Sequence, residues 1–192
     1  NQVTTIGFFL MLAATFFFWN AHWALGFLCG WTMTFLDTVD GKLARTTMTY
    51  SSWGNIYDHG IDLIHPPFWY WAWFIALGGT YNLSEFLFVA LLAIWVGYVV
   101  DRVIEGIFMR QHGFHIHVWT RFNSGLRFFI ARRNPNTFVM MIGVMMMAIW
   151  PGAGAWAFLF IAAWTWICIL ANFVTLIAGI FVKRPIASWM DA

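Results

Sequence analysis

The chain has 192 residues, of which 61% are hydrophobic and only 9% charged, and its mean hydropathy is +0.72. Soluble domains carry about 25% charged residues, so the composition excludes an ordinary water-soluble domain and reads as an integral membrane protein. The net charge of +2 is too small to point to nucleic acid as a partner.

A spanning helix needs about 20 mostly apolar residues. Six stretches come near that requirement, at 4–19, 22–45, 54–77, 83–110, 135–150 and 153–182. The opening Asn-Gln-Val-Thr reads as a helix start, with upstream residues expected to be absent, and no basic leader of a cleavable signal peptide precedes the first apolar run. In the second stretch, Gly26 and Gly30 have the small-xxx-small spacing of closely packed helices. The third contains His65 before Pro66-Pro67, which reads as a kinked, hydrogen-bonded core position. Pro135 suits the first turn of the fifth. Cys29 and Cys168 lie in apolar runs and read as small buried hydrophobes rather than as a disulfide.

The basic residues orient these segments. Lys42 and Arg45 end the second; Arg110, Arg121, Arg127, Arg132 and Arg133 lie between the fourth and fifth; Lys183 and Arg184 follow the sixth. The connections around Asn20, Gly79 and Pro151 carry no Lys or Arg. An excess of Lys and Arg marks cytoplasmic loops, so the expected fold is all-α with six transmembrane helices and both ends cytoplasmic. Trp19, Trp23, Trp150 and Trp156 fall near the opposite ends, as an interfacial aromatic belt would.

Four carboxylates interrupt this apolar pattern, and acids at membrane depth usually mark a functional site. Asp37, Asp40, Gly41 and Ala44 follow i, i+3, i+4, i+7 spacing and share one helical face. Gly54, Asp58 and Asp62 stand at successive i+4 steps on another. A short connection makes the two helices antiparallel neighbours. Asp37 and Asp62 each lie about 12 Å from the cytoplasmic end of their helix, with Asp40 and Asp58 nearer the surface. Four like charges in one pocket require cations, and Lys42 and Arg45 cannot neutralise them all. Carboxylate oxygens favour Mg²⁺, Mn²⁺ or Ca²⁺ over softer metals. Gly41, Ala44 and Gly54 leave a floor nearly free of side chains, and the Arg45 fork suits phosphate oxygens. Together these features suggest a nucleotide diphosphate bound between helices two and three at the cytoplasmic face. The bland alternative is four acids that pair with Lys42 and Arg45 and only hold two helices together.

Asp37, Asp40-Gly41, Ala44-Arg45, Gly54, Asp58 and Asp62 together resemble the signature of the CDP-alcohol phosphotransferase family at every fixed position and gap. The six-segment layout is similar too, so the resemblance covers most of the chain, which is expected to form a single transmembrane domain over residues 1–192. It implies two bound ions, Mg²⁺ or Mn²⁺, with Asp37, Asp40 and Asp58 as ligands. Asp62 is then both close to the metals and the expected general base. Asp40, Gly41, Ala44, Arg45 and Gly54 would line the CDP pocket, and a homodimer is implied. The Asp58-His59-Gly60 wording is similar to that of choline and ethanolamine members.

The acceptor is less legible. Asp101, Arg102 and Glu105, late in the fourth segment, read either as acceptor-pocket residues or as an intramembrane charge cluster. Arg132 and Arg133 stand at a helix start, where they could hold an acceptor anion or anchor to anionic headgroups. His112, His115 and His117 form a loose group in the same connection, short of the ligands a soft-metal site needs. Two reactions remain open: transfer of a phosphatidyl group from CDP-diacylglycerol to a small polar alcohol, with release of CMP, or transfer of a headgroup from a soluble CDP-alcohol to diacylglycerol or a ceramide-like lipid. The rival from another class is a divalent-cation transporter, for which Glu85 is the candidate second station.

Overall fold

The structure, a computed structural model, describes residues 2–47, 52–78, 84–182 and 188–189; the side chains of residues 2, 43–47, 52–59 and 84 are not among them. Seven α-helices and no strand occur among the described residues: α1 (Gln2–Trp19), α2 (Trp23–Thr47), α3 (Ser52–Gly78), α4 (Ser84–His112), α5 (Arg121–Leu126), α6 (Arg133–Met146) and α7 (Ala153–Phe181). One 3-10 turn, Ile116–Val118, precedes α5. Of these, Glu85–His112 and Ala153–Phe181 are long and apolar enough to cross a membrane, and Val3–Trp19 is apolar but shorter. The chain divides into two compact units, residues 1–87 with 144–155 and residues 88–143 with 156–192.

In the first unit, α1 and α2 form an antiparallel hairpin closed by a tight turn. The N–H groups of Asn20, Ala21 and His22 donate to the carbonyls of Phe16, Phe18 and Phe17 at 3.2, 3.0 and 2.8 Å, which satisfies the end of α1. Ala21 takes a left-handed conformation at φ 57° to make the reversal. The fully buried Phe18 plugs the hairpin, its ring 5.1 Å from Phe27 and 5.6 Å from both Trp69 and Trp73 of α3. Gly26 and Gly30 make this possible: a Cβ on Gly26 would run into the Phe18 ring, and one on Gly30 would come within 3.0 Å of Trp69. The close approach expected from their spacing is therefore an approach of aromatic rings from α1 and α3.

Helix α3 runs past Pro66 and Pro67, which supply no N–H to the preceding turn. His65 is buried beside them, its Nδ1 2.7 Å from the Ile61 carbonyl and its ring 5.0 Å from Trp69, in the hydrogen-bonded core position expected of it. The connection between α6 and α7 belongs to this unit as well. A Cβ on Gly154 would lie 2.7 Å from Met147 Sδ and 3.0 Å from Leu77 Cδ2, so the small residue lets that connection settle against the end of α3.

The second unit is built on α4 and α7. Glu85 in the first turn of α4 and Arg110 in its last complement the helix dipole. Gly97 receives Thr165 and Ile169, and Gly179 receives Phe108 and His112, so glycines bring the two helices together at two heights. Between them Ile104, Phe108, Ile116, Ile169 and Leu176 form an apolar core flanked by Val100, Phe114 and Trp119.

The connection from α4 to α6 is more ordered than a basic loop. Thr120 caps α5 by accepting from the Asn123 N–H at 3.2 Å. Asn123 is buried and donates to the Ile116 carbonyl at 3.1 Å. Ser188 and Trp189 return to the same place: Ser188 Oγ donates to the Val118 carbonyl at 2.9 Å and Trp189 Nε1 to Ser124 Oγ at 2.8 Å.

Both boundaries of the fifth segment differ from the sequence reading. The fifth segment, expected at 135–150, is the 14-residue helix α6, beginning at Arg133 and ending at Met146. Pro135 sits at its third position, where a missing N–H removes no helical bond, and the chain leaves the helix ahead of Pro151 through turns that return the Ile149 and Trp150 N–H groups to Met146. Arg133 therefore lies in the first turn rather than before it. Cys168 is buried as expected, whereas Cys29 is only half-buried; both are free thiols.

Candidate active site

The α1–α2 hairpin and α3 position the acids. Helical periodicity carries Asp37 and Asp40 to one side of α2, and Asp62 occupies α3 eight residues before Tyr70 of the aromatic core. All three are half-buried, and they line one pocket. Its wall is completed by Val3, Thr4, Gly7 and Phe8 of α1, Met33 and Leu36 of α2, and Ile61 of α3. A Cβ on Gly7 would meet nothing within 4 Å, so α1 presents open space on this side. Thr4 reaches across the hairpin and donates its hydroxyl proton to Asp40 Oδ2 at 2.5 Å.

Gly41 follows Asp40 in α2 and is half-buried. Ala44 and Arg45 continue that helix, and Gly54 and Asp58 lie in the first turns of α3, but the expected roles of these four fall on side chains or surroundings outside the description. The structure thus brings three of the four acids to one cavity and leaves the fourth undescribed.

The donor chemistry of that cavity fits a hard divalent cation, because carboxylate oxygens from two helices converge with no thiol or imidazole in the lining. Among the described residues, no three Asp, Glu, His or Cys side chains are gathered tightly enough to enclose one ion.

The residues considered for the acceptor form a second cluster, wholly in the other unit. Arg102 lies 3.0 Å from Glu105 and 3.8 Å from Asp101. Glu105 Oε1 also receives Arg132 Nη2 and stands 2.8 Å from His117 Nε2. Asp101 Oδ1 accepts from Asn172 Nδ2 at 2.7 Å. Each carboxylate is thus met by more than one polar group of the protein. Arg133 is separate, its Nε donating to Asn134 Oδ1 at 2.9 Å. The three histidines also separate. His112 packs on Phe108 at 4.6 Å, His115 precedes the 3-10 turn, and only His117 enters the cluster. Glu85 is exposed in the first turn of α4.

Sequence reasoning missed Thr4, His117 and Asn172. The signal for Thr4 was available in the hairpin register: it and Asp40 are 36 residues apart, each 18 from His22, and equal rise along two antiparallel helices brings them to one height. No comparable local signal exists for His117 or Asn172.

A family model for CDP-alcohol phosphatidyltransferases matches residues 1–181, which include every acid of the pocket and both units of the fold. The chain belongs to the CDP-alcohol phosphatidyltransferase family. Archaetidylinositol phosphate synthase of Pyrococcus horikoshii is a similar protein, 37% identical over 79 residues that make up 41% of this chain and 41% of the relative. The chain thus aligns with less than half the length of that curated relative. No solved structure matches it. Membership in this enzyme family agrees with the resemblance carried by Asp37, Asp40-Gly41, Ala44-Arg45, Gly54, Asp58 and Asp62.

Proposed function

We propose that the chain transfers a phosphatidyl group from CDP-diacylglycerol to a small polar alcohol, with divalent metal required and CMP released. The observation that carries this reading is the shared pocket of Asp37, Asp40 and Asp62, the described acids of the family signature. Asp37, Asp40, Asp58 and Asp62 would hold two Mg²⁺ or Mn²⁺ ions, and when bound these offset charge on the pyrophosphate and on the departing CMP. Gly41, Ala44 and Gly54 leave room for the nucleotide, Asp40 borders it, and the Arg45 guanidinium suits its phosphate oxygens. Asp62 takes the proton from the acceptor hydroxyl as that oxygen attacks the lipid-bearing phosphorus and the bond to CMP breaks.

The relative's name speaks of archaetidylinositol phosphate. It favours a lipid-linked donor and an acceptor of the inositol phosphate kind over a soluble CDP-alcohol. Arg102, Arg132 and Arg133 are the cations proposed for such an anion, although Arg102 and Arg132 already face carboxylates. The membrane arrangement proposed is six spans with both ends and the site on the cytoplasmic side, supported by the distribution of Lys and Arg. A single domain over 1–192 is supported by a family match that crosses both units, and a homodimer by family resemblance alone.

The test is incubation of purified protein with radiolabelled CDP-diacylglycerol and a panel of polyol phosphates, glycerol phosphate and serine. Product mass and CMP release are followed with and without chelator. Metal-dependent CMP release with a phosphatidyl product is expected. Product formation only from a soluble CDP-alcohol and diacylglycerol would replace this reading with the headgroup-transfer one. Metal flux into sealed vesicles without CMP release would replace it with transport.

A further inference from the structure

Seven described threonines in these helices treat their hydroxyls alike. Thr15, Thr32, Thr34, Thr38, Thr137, Thr165 and Thr175 each donate to the carbonyl four residues earlier in their own helix, at 2.7–3.1 Å. Thr4 is different. Its proton goes instead to Asp40 of α2 at 2.5 Å.

The bond is held from both sides. A β-branched side chain has few χ1 choices in a helix, so the Thr4 hydroxyl is confined to few directions. The heights of Thr4 and Asp40 are set by the turn at 20–22, eighteen residues away along each helix, and Phe18 locks that turn against α3. A hydroxyl has one proton to give, and here it engages Oδ2. Fixing one oxygen of a planar carboxylate orients the other. Thr4 and Asp40 line the same pocket, so the orientation is imposed where Asp40 faces the cavity shared with Asp37 and Asp62.

We infer that Thr4 is a positioning residue for the metal-binding carboxylate Asp40, presenting it to a divalent cation in one orientation. The inference rests on the proposed reading of the pocket as a metal site, and it assigns a role to a residue of α1 that lies outside the Asp-rich signature. Groups that orient metal ligands typically change affinity by about 10–100-fold when removed.

The experiment measures Mn²⁺ binding by the loss of the free-ion electron paramagnetic resonance signal, using the purified full chain in detergent without substrate. Thr4→Val and Thr4→Ala both delete the hydroxyl, one keeping the volume and the other relieving any crowding against Asp40. Each is expected to weaken Mn²⁺ binding by about tenfold. Thr4→Ser restores the donor and should return to within about twofold of wild type. Thr15→Val deletes a hydroxyl that bonds only within α1 and should leave binding unchanged. In turnover assays the defect of the Thr4 deletions should shrink as Mn²⁺ is raised, a response that a general loosening of α1 would not give. Wild-type Mn²⁺ affinity in both deletions, or a Thr4→Ser variant as weak as Thr4→Val, would overturn the inference. Failure of the wild-type protein itself to bind Mn²⁺ and release CMP would instead overturn the reading of the pocket, so the two failures are distinguishable.

Discussion

Asp37, Asp40 and Asp62 line a cavity, whereas Asp101 and Glu105 are enclosed by side chains of their own unit. In the first region, one established partner is a neutral hydroxyl, Thr4 on Asp40, which orients a carboxylate without cancelling its charge. In the second, two guanidinium groups, an imidazole and an amide close on two acids, and the charges are balanced within the protein. The three acids of the first region border a cavity, whereas Asp101 and Glu105 are met by charged and polar groups of the protein itself.

The largest effect expected from this contrast is at Asp62. Asp62→Asn keeps the size of the side chain but removes the base, so CMP release should fall by about 10²–10⁴-fold, the usual range for a lost acid–base group. Binding of CDP with metal should survive. Wild-type turnover in this variant would remove Asp62 from the chemistry.

Glu105→Ala should act on stability instead. It leaves Arg102, Arg132 and His117 around a missing carboxylate, and breaking a pair of this kind costs about 3–5 kcal/mol. The measurement is thermal unfolding in detergent, and Mn²⁺ binding at the other region should be unchanged. A variant that melts like wild type yet no longer uses its acceptor would break the comparison, because Glu105 would then serve only to set the proposed acceptor cations Arg102 and Arg132.

A smaller loss is expected for Asn172→Leu, which removes the donor 2.7 Å from Asp101 and leaves the guanidinium of Arg102 3.8 Å away. Leaving a buried acceptor short of a donor costs about 1–3 kcal/mol. The same unfolding measurement checks it, and a neutral result would mean that the neighbouring guanidinium groups balance Asp101 without the amide.

Much of the site was legible because its spacing is local. The i, i+3 and i+4 steps of Asp37, Asp40 and Gly41, and the four-residue steps from Gly54 to Asp62, follow from helical geometry whatever surrounds the helices. The close approaches at Gly26 and Gly30 were also readable, since only small residues at that interval admit a neighbour. The second cluster was not. Asp101, Arg102 and Glu105 are adjacent in sequence, but His117, Arg132 and Asn172 reach them across intervals of 12, 27 and 71 residues. The 3-10 turn and α5, which carry the chain from His112 back toward Arg132, were hidden in a stretch that read only as basic.

By itself, then, the sequence determined a helical, membrane-type chain, an acid pattern shared with one enzyme family and the chemistry those oxygens favour. It could do so because composition and helical period are properties of short segments. Only the tertiary structure decided that Thr4 restrains Asp40, that Glu105 is matched by His117 and Arg132, and that Asn172 holds Asp101. Each of these depends on how helices are rotated and set in height against one another. That is fixed by the packing of Phe18 over Gly26 in one unit, and of α7 against Gly97 and Gly179 in the other, rather than by any local run of residues.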